Sequence, residues 1–132
     1  WYLVYPPFSE FKEAQDRISA ETGAPATGFE VLGRDIPHLQ VESTYEANNA
    51  AHVNFHHRFR LLTGSEKPGA AWAILAMPVD WPEGGHWQQY LLLPDGRVYA
   101  KADPGDQRFL LDAIPADPVA DGWVLSDYLS RH

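Results

Sequence analysis

The stretch "NNAAHVNFHHRFRLLTG", residues 48–64, holds His52, His56 and His57, three of the six histidines in the chain. Imidazole is the side chain best suited to proton transfer near neutral pH, and it is a common metal ligand. If residues 43–62 are one helix, His52 and His56 stand one turn apart on the border of a buried stripe formed by Ala51, Phe55, Phe59 and Leu62. His57 then points elsewhere with Asn54 and Arg58. An i,i+4 pair can converge on one ion, but a metal would need a further ligand from His86, His38 or Asp80. The residues between the two histidines are Val53, Asn54 and Phe55, so the glutamate of a HExxH peptidase helix is absent. The reading carried forward is that His52 and His56 are border residues bonded to Asn49, Tyr45 or backbone. No metal and no cofactor is assigned. The rival reading is acid–base catalysis by His52, His56 and His86.

A second stretch with chemical content is "DWPEGGHWQQY", residues 80–90. Trp81 and Trp87 bracket Glu83, two glycines and His86, the composition of a binding loop, and Glu83 and His86 have acid–base spacing. The alternative is a long hairpin connection whose tryptophans pack on the sheet ends. Nucleophilic chemistry has little support: the chain has no cysteine, and each serine falls in a cap or loop setting outside any GxSxG turn. Neither a P-loop nor a GxGxxG is present.

The elements that would position these residues follow from pattern. "FSEFKEAQDRISAETG" reads as a first helix with Ser9 as N-cap, an apolar stripe at Phe11, Ala14 and Ile18, and a stop at Gly23. "FEVL" at 29–32 reads as a short strand between turns. Ser43 and Glu46 have capping-box spacing, which starts a second helix expected to run to about Leu62 and end at Gly64. "AAWAILAMPV" reads as a buried strand, "WQQYLLL" as the next, and "VYAKA" as its antiparallel return after the "PDGR" turn. "QRFLLDAI" reads as another strand, and a short helix from Ser126 closes the chain. Helices followed by hairpin-linked strands give an α+β fold, a single domain over 1–132: an antiparallel β-sheet with two N-terminal helices packed on one face.

Composition narrows the function classes. The chain has 132 residues, is 45% hydrophobic and has a formal net charge of −8, so it can bury a core and would repel a polyanion. Asp103, Asp106, Asp112, Asp117, Asp121 and Asp127 face only Arg108 and Arg131 after position 102. That balance argues against nucleic acid and favours small-molecule chemistry or docking onto a basic protein. No apolar run is long enough to span a bilayer, so no membrane partner is expected, and the absence of cysteine fits a cytoplasmic setting.

From Tyr90 onward, "YLLLPDGRVYAKADPGDQRFLLDAIPADPVADGWVLSDYL" resembles the C-terminal part of small bacterial immunity proteins of the SUKH superfamily. A strand, a "DG-V-Y" turn-strand and an acidic closing segment ending in a helix recur there. The proline-and-glycine region that follows the first helix in that family is missing here. The resemblance implies a non-enzymatic acidic protein that binds and neutralises a cognate toxin, with Trp81, Glu83, His86, Trp87, Asp103 and Asp106 as the expected contact residues. Its rival is a small His-dependent enzyme, the catalytic domain of a secreted bacterial effector. A small-ligand sensor with an aromatic pocket is a third class that no motif supports.

Overall fold

A computed structural model describes residues 6, 8–34, 41–43, 57–63, 67, 69–78, 87–105 and 108–131. Helix α1 spans Phe8–Thr22, with Phe8, Phe11, Ala14 and Ile18 buried, so the expected stripe forms and the helix starts one residue before Ser9. Burial of Phe8, Phe11 and Ile18 contributes about 2 kcal/mol each. Gly23 ends the helix at a φ of 70°, the left-handed conformation that a C-terminal stop requires, and its N–H donates to the Ser19 carbonyl.

Helix α2, Gly28–Arg34, lies where the sequence suggested a strand. The cause is a capping box whose Thr27 lies two residues before "FEVL" and whose Glu30 lies within it. The Thr27 N–H donates to Glu30 Oε1 at 3.1 Å while the Glu30 N–H donates to Thr27 Oγ1 at 3.2 Å, so each satisfies a donor that the helix start would leave open. Gly28 has no side chain because a Cβ there would run into the side chains of Leu61 and Trp72.

Strands follow at β1 Val41–Ser43, β2 His57–Thr63, β3 Trp72–Pro78, β4 Gln88–Leu92, β5 Val98–Ala102 and β6 Val124–Leu125, with α3 at Asp127–Arg131. They form one sheet in chain order, antiparallel from β2 to β6, with β1 parallel to β2. The fold is α+β, and two N-terminal helices do cover one sheet face. The second of them is α2, however, and the helix expected over 43–62 is contradicted in its last part, because 57–63 is a strand; Ser43 closes β1. The stretch between, with His52 and His56, lies outside the described residues. A parallel β1–β2 pair needs a crossover of about a dozen residues, which is the length of chain available between them.

The β4–β5 hairpin has the expected form. Gly96 takes a φ of 91°, its N–H donates to the Leu93 carbonyl at 3.0 Å, and Asp95 Oδ1 accepts from the Arg97 N–H. Side-chain alternation then sorts the sheet into two faces. Phe59, Leu61, Trp72, Ile74, Ala76, Tyr90, Leu92, Val98 and Ala100 pack under α1, α2 and Leu129 of α3. Leu62, Ala73, Leu75, Leu91 and Tyr99 form the other face with Trp123, covered by Leu93, Phe109, Leu110, Leu111 and Ile114. Leu91 and Leu93 thus share a face with Tyr99 of the returning strand. The covering stretch contains "QRFLLDAI", expected as a strand; over 108–114 it is irregular.

Candidate functional site

The start of β2, the end of β3, the start of β4 and the end of β5 lie at one end of the sheet, as the registers His57↔Pro78 and Gln88↔Ala102 require. Of the nominated residues, Trp87 and Asp103 are described there; His52, His56, Trp81, Glu83, His86 and Asp106 lie outside the described residues. The Asp103 N–H donates to the Trp87 carbonyl at 3.0 Å, closing the β4–β5 pair. Both Asp103 carboxylate oxygens are engaged within the fold: Oδ1 accepts from the Gly105 N–H at 2.6 Å and Oδ2 from Gln89 Nε2 at 2.8 Å.

Gln89 is the organiser of this corner. It is fully buried, with 0% exposure, on the face opposite the helices. Its amide nitrogen donates to Asp103 and also to the Arg108 carbonyl at 2.7 Å, while its oxygen accepts from the Leu110 N–H at 3.0 Å. A buried amide with these bonds holds an irregular segment where a strand ladder would otherwise be needed. Arg60 holds the same segment one residue further along, donating to the Leu111 carbonyl at 3.3 Å and to Asp112 at 3.0 Å. Its guanidinium stacks 4.4 Å from the Phe109 ring centre, and that of Arg58 lies 5.7 Å from it. The two arginines that formed the basic spot of the sequence therefore serve as a stacking platform for Phe109.

His57, expected on a helix to point away from the buried stripe with Asn54 and Arg58, is instead on a strand and 1% exposed. Its ring lies 6.2 Å from that of Tyr90 and 6.4 Å from that of Phe59, on the face beneath the helices. The signal for this was the alternation His57, Phe59, Leu61 against Arg58, Arg60.

The other feature is at the β6 edge. Val119, Val124, Leu125 and Tyr128 are large apolar or aromatic side chains left 63%, 68%, 42% and 56% exposed, all within ten positions of one another. Asp117, Asp121 and Asp127, all exposed, are interspersed among them. The turn before β6 is fixed by the Asp121 N–H to the Pro118 carbonyl, the Trp123 N–H to the same carbonyl, and Gly122 at a φ of 90°. Trp123, 2% exposed, anchors β6 to the second core, and Lys101 Nζ donates to the Asp121 carbonyl at 2.7 Å. No family model, curated protein or solved structure matches the chain. The arrangement on the page is thus a rigidly mounted, partly apolar sheet edge among carboxylates, suited to binding a protein of opposite charge. Sequence reasoning named the acids but missed the edge, because "WVL" is too short for a strand pattern. Among the described residues no helix is long and apolar enough to cross a membrane, and no three His, Asp or Glu side chains converge as metal ligands.

Proposed function

We propose that the chain is an acidic protein-binding module, a cytoplasmic immunity protein that neutralises a cognate basic bacterial toxin by direct binding. The observation that carries this reading is the exposed apolar edge at Val124 and Leu125 set among Asp117, Asp121 and Asp127. An apolar patch whose rim carries more carboxylates than cations, here with Lys101 held on the Asp121 carbonyl, suits a protein interface: burial supplies affinity, and the charges steer the encounter. The resemblance of residues 90–129 to the SUKH immunity proteins supports the same reading, since the hairpin, the acidic segment and the start of the closing helix fall in it. So does the net charge of −8.

The test is to express the proteins encoded beside this chain, and to co-express with it any that proves toxic. The expected result is restored growth and a purified one-to-one complex whose association slows as salt rises through about 0.15 M, where exposed charges more than about 8 Å apart are screened. Absence of any complex, or toxicity of the chain expressed alone, would overturn the proposal and favour the effector enzyme that uses His52, His56 and His86.

A further inference from the structure

We propose that β6 is the docking strand: a basic partner lays an extended segment along Val124 and Leu125, with a lysine or arginine at each end reaching Asp121 and Asp127. The inference rests on the protein-binding reading and adds to it where the partner binds and what shape of segment it presents.

The backbone argument comes first. Val124 pairs with Ala100 and Leu125 with Tyr99, and the Ser126 N–H donates to the Val98 carbonyl at 2.8 Å. In an antiparallel pair, successive residues turn their N–H and C=O alternately toward the neighbour and away. Ser126 faces β5, so Val124 does too, and the N–H and C=O of Leu125 point outward. Among the described residues no hydrogen bond engages them. β6 is the last strand of the sheet among the described residues, so an incoming strand would find these groups in the position for edge addition.

The side chains then select the occupant. Val124 and Leu125 project to opposite faces of the edge, so an added strand covers both, an apolar contact on either side of its backbone. Asp121 and Asp127 flank β6 at its two ends, separated by no more than about 20 Å of extended chain, the reach of about six residues. A second copy of this chain would bring the same carboxylates against each other, and nucleic acid or an anionic membrane would bring further negative charge. A basic strand meets opposite charge at both ends. The edge is short, which limits promiscuous pairing and leaves the charges to set the register.

The experiment uses the full chain with labelled amides and two capped hexapeptides at about 1 mM, Lys-Val-Thr-Val-Thr-Lys and its counterpart with glutamate at both ends. The lysine-ended peptide is expected to shift the amides of 123–126 and slow hydrogen exchange at Leu125, and the glutamate-ended one to leave them unchanged. Asp121→Asn with Asp127→Asn should weaken the first peptide about tenfold. Leu125→Pro removes the outward N–H and should abolish the response. Should that variant misfold, Val124→Lys with Leu125→Lys keeps the backbone and should abolish it by charge. Shifts centred elsewhere, an equal response to both peptides, or a concentration-dependent dimer that Leu125→Lys dissolves would each overturn the proposal. A toxin complex that survives Val124→Lys with Leu125→Lys would refute the docking strand alone. Peptide shifts without any toxin complex would refute the immunity reading and leave the docking strand standing.

Discussion

Replacing Gln89 with leucine tests how the second sheet face is closed. The substitution keeps nearly the same volume at a site with 0% exposure, so little packing is lost. What is lost is the set of bonds to Asp103, the Arg108 carbonyl and the Leu110 N–H, at 2.8, 2.7 and 3.0 Å. Each buried polar group left without its partner costs about 1–3 kcal/mol, and the Asp103 carboxylate can turn to water. Both backbone groups are only part-buried, so the lower part of that range applies to each, and together they set the expected loss at about 2–4 kcal/mol, a large part of a typical total of about 5–15. For a chain of this size that lowers the melting temperature by roughly 10 °C. Urea unfolding gives the loss, and native-state amide exchange gives its location: exchange should quicken first over 108–111, before β3 or β4. Gln89→Glu is a sharper variant. It keeps the acceptor for Leu110 but places a carboxyl beside Asp103 and the Arg108 carbonyl, so its folded pKa rises above the ordinary carboxylate value. That variant should be least stable at neutral pH and regain stability as pH falls through the raised value, because the folded state then binds the extra proton. A Gln89→Leu loss below about 0.5 kcal/mol, or exchange that quickens uniformly, would refute the clamp.

Gly28→Ala should destabilise by about 1–3 kcal/mol in thermal unfolding despite alanine's better helix propensity, since its methyl collides with Leu61 and Trp72. Thr27→Ala removes the capping box and should cost about 1 kcal/mol, read by the same melt. Lys12 donates to the Leu129 and Ser130 carbonyls, and burial holds its pKa below the ordinary 10.5. Between that lowered value and 10.5 the unfolded chain holds more protons, so wild type should gain stability over Lys12→Met as pH climbs through the lowered value toward 10.5, measured by urea midpoints. His52→Ala and His56→Ala should each lower stability by about 1 kcal/mol and spare toxin binding in the folded fraction, measured by titration of the complex.

The elements legible in the sequence are those whose cause is local. The β4–β5 hairpin carries its instructions in the Asp95-Gly96 turn and in period-two alternation on either side, and α1 carries its own in the spacing of Phe11, Ala14 and Ile18. Residues 57–63 also carried a strand signal, the alternation of Arg58 and Arg60 with Phe59 and Leu61. Phe55, Phe59 and Leu62 happen to fit helical spacing as well, and the Ser43 to Glu46 box tipped the reading the wrong way. A box of the same form, Thr27 to Glu30, caps α2. What lies between Ser43 and His57 is outside the described residues; what overrode the helical reading of 57–63 is the pairing of β2 with β1 and β3, a tertiary demand that no window around these residues contains.

The irregular segment over 108–114 shows a different kind of illegibility. "RFLL" has strand composition, yet its backbone groups are satisfied by the side chains of Gln89 and Arg60 instead of a ladder, at separations of 19 to 51 residues. β5 then has its free edge taken by β6. That exchange bears on the binding surface. One face of the sheet lies under α1, α2 and α3, and the other under Phe109, Leu110, Leu111 and Trp123, so apolar burial by a partner on either face would first have to displace something already packed. At β6 it displaces nothing: Val124 and Leu125 are mounted on a strand fixed by Trp123 and are still exposed. The partner proposed there would gain apolar burial without opening the fold, and the flanking aspartates would favour a basic one.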